Sequence, residues 1–369
     1  MKLLFYQENN IGASLYIDMK TTKLNKTTVG KGYPSYIIAE LSGNHGGDII
    51  KAIEIIHQAK NAGANAIKLQ TYTADTITIN SNKEDFLIPS NNPWEDSSTL
   101  YNLYEEAFTP WEWHKELFKE ADKVGIDIFS SPFDESAVEL LESLNTKIYK
   151  IASPEIFDLE LIKCVAKTKK PVILSTGMAK KNDIELALQT LRENGSENII
   201  LLKCTTAYPA PFDEVNLKTM QHYESEFNVI YGLSDHTLGI EAPIAAVALG
   251  AAVIEKHFVM KGDNTVDSFF SLDETMFKEM IQKIRNVELA LGKVDYSLTK
   301  EVEKNLWAKR SLYFSKDVKK GEKIENCYRS VRPGYGLHPK YFNEIKNYVA
   351  TKDLEVGDRV DWDSIKKDS

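Results

Sequence analysis

The 369-residue chain carries 45 Lys and Arg against 54 Asp and Glu, a net charge of −9, with 43% hydrophobic and 27% charged residues. This composition excludes a disordered chain, a collagen-like repeat and a small disulfide scaffold. The acidic balance argues against nucleic acid as a partner, because that needs a basic face, and at first sight it also speaks against an anionic ligand.

Residues 1–34 read as an N-terminal extension and a capping hairpin, from the alternating segments SLYIDM and TTVGKGY. Residues 1–19 could equally be an extension alone. The apolar run in MKLLFYQENNIG is too short for a signal peptide, and no stretch is long enough to span a bilayer. Cys164, Cys204 and Cys327 lie far apart with no CxxC pair. Together these features predict a soluble cytoplasmic protein in a reduced compartment, without a membrane partner.

From 35 to 292, short apolar runs alternate with segments of helical periodicity. The runs are SYIIAE (35–40), AIKLQ (66–70), DIFSS (127–131), KIYKI (147–151), PVILS (171–175), NIILLK (198–203), VIYGL (229–233) and AVIEK (252–256). Between them, IIKAIEIIHQAKNAG and NDIELALQTLRENG place apolar residues on one helical stripe and end in Gly or Asn. Strands apolar on both faces suit a parallel sheet covered by helices. Eight such units over about 250 residues predict an α/β fold, a (β/α)8 TIM barrel. A doubly wound sheet is the rival, but AELSGNHGG after the first strand is not a dinucleotide fingerprint.

The polar segment 293–305 reads as a linker helix. Residues 306–369 read as a small β-rich domain, since SKDVKKGEKI (315–324) and TKDLEVGDRV (351–360) share one pattern 36 residues apart.

A TIM-barrel active site forms at the C-terminal strand ends. Every predicted strand delivers polar groups there: Glu40, Lys68, Gln70, Ser130, Ser131, Lys150, Ser153, Glu155, Ser175, Thr176, Lys203, Cys204, Thr205, Thr206, Ser234, Asp235, His236, Glu255 and His257. Strand parity puts Lys68 with Gln70, and Glu255 with His257, while sending Lys256 outward with its head in solvent. A lysine ending an apolar strand needs a counter-anion. Glu40, Glu155 and Glu255 could supply it structurally; the hydroxyls of Ser131 and Ser153 instead favour a phosphate or carboxylate cradle. His236 and His257, on adjacent strands, could share a divalent cation with Asp235 and Glu255 orienting them, or could be hydrogen-bonded within the rim. His57, His114 and His222 fall in helical segments and are expected to be exposed or partly packed. No GxSxG, P-loop, HExxH or GxGxxG occurs.

The ordered set AELSGNHGG, KLQTYTADT, SSPFDE, YKIASPE, LSTGM, CTTAYP, GLSDHTLG and IEKHF resembles the sialic acid synthase family over nearly the whole chain from about residue 30. RSVRPGYGLHP resembles its antifreeze-like (SAF) C-terminal domain. ELSGNH, QTYTADTITINSNKEDF, DSFFSLD and RPGYGLHPKYF resemble the pseudaminic acid synthase branch. The resemblance implies a cytoplasmic transferase condensing phosphoenolpyruvate with an N-acetylated amino sugar. In this branch the sugar is 2,4-diacetamido-2,4,6-trideoxy-L-altrose; N-acetylneuraminic or legionaminic acid synthesis is the alternative. It implies Mn²⁺ or Mg²⁺ on His236 and His257, and phosphoenolpyruvate on Lys68, Ser131, Lys150, Ser153, Thr206 and Ser234. Glu40, Gln70, Asp267, Trp307 and Arg332 would face the sugar, with Arg332 reaching the other subunit's site in a domain-swapped homodimer. Glu155, Glu40 and Glu255 would move protons. Thr206 departs from the Asn that sialic acid synthases often carry there.

Two rivals follow from the same residues. A barrel aldolase would form a Schiff base on Lys68 or Lys150. An ice-binding tail would need a regular Thr array, which the charged C-terminal segment lacks.

Overall fold

The computed structural model describes residues 20–90 and 92–368. SLYIDM (14–19) lies outside the described residues. The hairpin is built from β1 (Thr21–Leu24) and β2 (Thr27–Gly30), paired antiparallel. Leu24 and Val29 pack with Tyr36, Ile38, Ala66 and Phe129, which point into the base of the sheet that follows. The hairpin therefore plugs the end of the barrel opposite the candidate site.

The barrel alternates β3 (Tyr36–Glu40), α1 (Ile49–Ala62), β4 (Ala66–Thr71), α2 (Ala74–Ile77), α3 (Leu100–Ala107), α4 (Trp111–Val124), β5 (Asp127–Pro132) and α5 (Glu135–Ser143). It continues through β6 (Tyr149–Ile151), α6 (Leu159–Lys167), β7 (Val172–Ser175), α7 (Lys181–Glu193), β8 (Ile199–Cys204), α8 (Lys218–Phe227), β9 (Ile230–Asp235), α9 (Glu241–Ala248) and β10 (Val253–Val259). Strands β3 to β10 pair in sequence order, all parallel, and β10 returns to pair β3. The sheet is closed, a (β/α)8 barrel. A short β11 (Leu272–Asp273) pairs with β10 and leads into α10 (Glu274–Leu291). Among the described residues, no helix is long and apolar enough to cross a membrane.

Parity sorts each strand into two cores. Ile38, Ala66, Phe129, Ile173, Ile200, Leu202 and Val253 fill the barrel interior, while Ile37, Ile67, Leu69, Leu174, Leu201 and Ile254 face the helices. Helix ends follow local chemistry. Asp48 caps α1 by accepting from the Ile50 amide, and Gly63 ends it in the left-handed region that a side chain disfavours.

Lys256 corrects one expectation. It does point outward, but its head is fully buried in the barrel–helix layer, 2.6 Å from Asp235 Oδ2, and it also donates to the Thr237 carbonyl. Asp235 consequently holds Lys256 and does not orient the histidines. The layer is too thick for the lysine stem to reach water, so an internal partner replaced solvation. His114 is likewise fully buried, bonded to Thr71 Oγ1 at 2.8 Å, whereas His57 and His222 lie at the surface.

By internal contacts the chain divides after Gly292. In 293–305 only α11 (Lys300–Glu303) is helical, a shorter helix than the polar pattern predicts. The C-terminal unit holds β12 (Ser311–Phe314) against β13 (Tyr328–Val331) and β14 (Tyr348–Ala350) against β15 (Ile365–Lys367), around Leu312, Ile324, Ile345 and Val360. The repeated segments meet at equivalent positions. Val318 and Leu354 exchange two backbone hydrogen bonds of 2.9 Å, and Gly321 and Gly357 both take left-handed turns.

Candidate active site

Part of the predicted strand-end set meets at the barrel mouth, whereas Ser130 bonds to Thr71, Thr176 to Tyr223 and Asp235 to Lys256. Glu40, Lys68, Gln70, Lys150, Ser153, Ser175, Cys204, Ser234, His236, Glu255 and His257 line one chamber of about 60 Å³ at the barrel mouth. Its electrostatics centre on two buried lysines. Lys68 Nζ lies 2.8 Å from Glu40 Oε2, 3.7 Å from Glu255 Oε1 and 3.3 Å from Ser131 Oγ. Lys150 Nζ has Glu255 Oε1 at 3.6 Å as its ion-pair partner among the described residues. Burial drives the pKa of Lys68 down, but Glu255 and Glu40 more than offset it, leaving it above the usual lysine value. For Lys150 burial wins over Glu255, and the neighbouring Lys68 depresses it further. The second lysine is thus short of negative charge, which is the condition of an anion site.

The acceptors are shared out tightly. Gln70 Nε2 donates to Glu40 Oε1 at 2.9 Å, and Ser234 Oγ donates to Glu255 Oε1 at 3.0 Å. Burial raises Glu40 to about 7 despite the Lys68 charge. Burial also raises Glu155 to about 7, although Lys150 and Lys68 pull it the other way. Buried atoms without a hydrogen-bond partner among the described residues include Ser175 Oγ, Thr206 Oγ1, Glu155 Oε2 and Glu255 Oε2. Orphaned hydroxyls of this kind cost about 1–3 kcal/mol each unless a ligand engages them. Ser153 Oγ accepts from the Gly177 amide at 3.0 Å. A Cβ on Gly177 would collide with the Thr206 hydroxyl and come within 2.9 Å of Ser153 Oγ, so glycine there lets the backbone close over these groups.

The histidines end neighbouring strands with ring centroids 5.4 Å apart. His236 Nδ1 sits 3.0 Å from the Thr205 carbonyl, which obliges that nitrogen to carry hydrogen and leaves Nε2 as the lone-pair donor. His257 Nδ1 is buried without a hydrogen-bond partner among the described residues, and Asp267 Oδ2 stands 3.8 Å away. Burial, then His236 and Lys68, holds His257 well below the usual histidine range, so it stays neutral. Burial lowers His236 too, but Cys204 and the Thr205 carbonyl hold it above its usual value, so a cation there would compete with a proton. Among the described residues no group of three or more His, Cys, Asp or Glu is arranged to hold a metal ion. Two neutral-capable imidazoles, one of them unpartnered, nevertheless fit a divalent ion that keeps positions open for water and substrate.

Above the chamber lies a second cavity of about 440 Å³, which shares Gln70, Pro154, Tyr208 and His257 with it. Ser42 and Asp267 bond to each other on its polar side, and Thr206 also reaches it. The rest is mostly aromatic and aliphatic, supplied by the segment between β4 and α4 and by the loop after β10. Tyr208 packs against His236 with ring centroids 4.5 Å apart and the planes tilted, and Trp94 meets Tyr208 at 5.2 Å and donates to the Val266 carbonyl at 2.9 Å.

Some of these groups escaped the sequence reading. Ser175 reads in the sequence as a strand end alone, although parity with the inward Ile173 turns it into the chamber. Tyr208, Trp94 and Ser42 come from loops, where no periodicity announces direction. Lys203, by the same parity, faces away from the chamber and donates to the Cys204 carbonyl. Trp307 and Arg332 belong to the C-terminal unit, and both are at least partly exposed.

Residues 55–296 match the NeuB family. The pseudaminic acid synthase of Campylobacter jejuni subsp. jejuni serotype O:23/36 (strain 81-176) is 47% identical, covering 88% of this chain and 94% of that protein. The pseudaminic acid synthase of Helicobacter pylori (strain ATCC 700392 / 26695) is 45% identical, covering 90% and 98%. The crystal structure of an N-acetylneuraminic acid synthetase from Leptospira borgpetersenii serovar Hardjo-bovis, in complex with citrate, superposes with a TM-score of 0.69 at 30% identity, covering 78% of this chain and 95% of that one. With its family match, its relatives and its charged barrel mouth in agreement, the chain belongs to the NeuB family.

Proposed function

We propose that this chain is a transferase that condenses phosphoenolpyruvate with 2,4-diacetamido-2,4,6-trideoxy-L-altrose, releasing phosphate and forming pseudaminic acid for bacterial surface glycans. The observation that carries the reading is the under-compensated Lys150 beside Lys68, in a chamber where the Ser175 hydroxyl has no partner among the described residues, beneath a cleft with room for an open-chain amino sugar. High identity to two pseudaminic acid synthases supports the choice of sugar.

In this reading Lys68 and Lys150 hold the anionic groups of phosphoenolpyruvate, with hydroxyls from Ser131, Ser153, Ser175, Thr206 and Ser234 directing them. Glu40, Gln70 and Asp267 hold the sugar. The C2–C3 π pair of phosphoenolpyruvate attacks the aldehyde carbon, forming the new C–C bond as the C=O π pair moves to oxygen, which takes a proton to become a hydroxyl, and C2 gains oxocarbenium character. Water adds at C2 while Glu155 takes its proton, an assignment suited to a carboxylate poised at about 7. The resulting tetrahedral centre expels phosphate between the two lysines. His236 and His257 would hold Mn²⁺ or Mg²⁺, which when bound polarises the sugar aldehyde. Trp307 and Arg332, from an antifreeze-like C-terminal domain, would complete the sugar site of the partner in a domain-swapped homodimer. The free cysteines fit a cytoplasmic enzyme.

The test is phosphate release from phosphoenolpyruvate with three sugars: the diacetamido-trideoxy altrose, N-acetylmannosamine and the legionaminic acid precursor. Clear preference for either of the last two would overturn the assignment of the sugar. Chelation should abolish turnover and Mn²⁺ should restore it. Mixing Arg332→Ala with Lys150→Ala subunits should recover activity if the site is shared between subunits.

A further inference from the structure

The outer cleft has two unlike walls. On one stand Ser42, Gln70, Asp267 and His257, continuous with the chamber below. The other is the face of α3. Leu100, Leu103, Tyr104 and Ala107, at helical spacing i, i+3, i+4 and i+7, all line the cleft, while Asn102, Glu105 and Glu106 on the other side are exposed. No residue of α3 is fully buried. Among the described residues its apolar stripe is therefore only partly covered, at the place where the substrate cleft needs a wall. The helix is nonetheless firmly placed. Thr99 caps it by accepting from the Asn102 amide at 3.1 Å, and Tyr104 meets Tyr72 edge-on at 5.6 Å.

We propose that this stripe, with Leu103 at its centre, selects the sugar by its end remote from the aldehyde, accepting methyl groups and disfavouring hydroxyls. The inference rests on the proposed function and names what distinguishes that sugar at this site. With the aldehyde end at the polar wall, the far end of the chain lies against α3. A hydroxyl pressed on leucine side chains loses its water and gains no partner, whereas a 6-deoxy methyl or an N-acyl methyl gains contact. Ordinary amino sugars such as N-acetylmannosamine carry the hydroxyl.

The experiment compares kcat/KM for the diacetamido-trideoxy sugar and for its 6-hydroxy counterpart in wild type, Leu103→Asn and Leu103→Met. Wild type should favour the deoxy sugar by roughly 10- to 100-fold. Leu103→Asn should lose about tenfold or more on the deoxy sugar and narrow the ratio, with the KM for phosphoenolpyruvate unchanged. Leu103→Met should keep the preference, showing that apolar character matters and not the exact residue. If wild type uses the deoxy sugar but Leu103→Asn and Leu100→Asn both leave the ratio intact, the inference falls and the proposed function stands. If wild type ignores both diacetamido sugars and turns over N-acetylmannosamine, the proposed function itself falls and this inference with it.

Discussion

The chamber at the strand ends and the cleft above it are adjoining halves of one site, built by opposite means. The chamber is made of strand residues whose directions the pleat fixes, and it concentrates charge: Lys68 and Lys150 with Glu40 and Glu255, almost wholly shielded from water. The cleft is made of loop and short-helix residues and is largely apolar, from Trp94, Tyr208, Phe270, Leu100 and Leu103. One half supplies electrostatics in a low-dielectric pocket, where a unit charge counts for most. The other supplies shape. Damage to the first should therefore strike turnover, and damage to the second should strike recognition.

The largest effect is expected from Lys68→Met. The substitution leaves Glu40 and Glu255 facing each other without their shared cation, and on the proposed function it also removes a group that holds the anion. kcat/KM should fall by on the order of 10³-fold or more for both substrates, read by phosphate release with each titrated in turn. A defect confined to the sugar would mean that the chamber is not the phosphoenolpyruvate site. Glu155 feels the charges of Lys150 and Lys68 from outside the chamber lining, and Glu155→Gln probes it through pH. As a base the carboxylate must be ionised, so wild-type activity should fall as pH drops through about 7. The glutamine variant should lose that limb and roughly 10²- to 10⁴-fold in kcat. The stability linkage runs the other way. A carboxyl raised from 4.5 to about 7 by burial favours the folded state at low pH and loses that contribution between those values, so Glu155→Gln should flatten the pH dependence of urea unfolding there.

Lys256 sharpens the contrast from outside the barrel. It pairs with Asp235 as closely as Lys68 pairs with Glu40, yet it faces the helices. Lys256→Met leaves a buried aspartate uncompensated and should cost about 3–5 kcal/mol in urea denaturation. The folded fraction should retain most of its turnover. Equal loss of kcat in the folded enzyme would show that the two lysines are not separable into catalytic and structural roles.

The same division explains what the sequence made legible. The eight strand runs were placed to within a few residues, because parallel strands buried on both faces read as unbroken apolar segments. Alternation then sorted Lys68, Gln70, Glu255 and His257 inward and Lys256 outward. It failed on the fate of the Lys256 head, since a one-dimensional pattern does not show how thick the helix layer is. It also failed on His114, whose helix packs its face onto Thr71 and Ser130. The cleft was the least legible part. Trp94, Tyr208 and the stripe of α3 acquire direction only from tertiary contacts, and a sequence window across 78–108 shows mainly polar and turn-forming residues.

The mildest prediction bears on that hidden half. Trp94 ties the segment between β4 and α4 to the loop after β10 by a hydrogen bond to the Val266 carbonyl and an edge contact with Phe269, and to the loop after β8 by an edge contact with Tyr208. Trp94→Phe keeps an aromatic edge in place and removes only the donor, which is worth about 1 kcal/mol. If the cleft holds the sugar, loosening this tie should raise the KM for the sugar by roughly fivefold, with kcat and the KM for phosphoenolpyruvate nearly unchanged. If the tie serves folding alone, the melting temperature should fall by a few degrees and the KM for the sugar should not move. The two readouts separate a recognition wall from an ordinary surface, because the chamber beneath contains none of the atoms that the substitution changes.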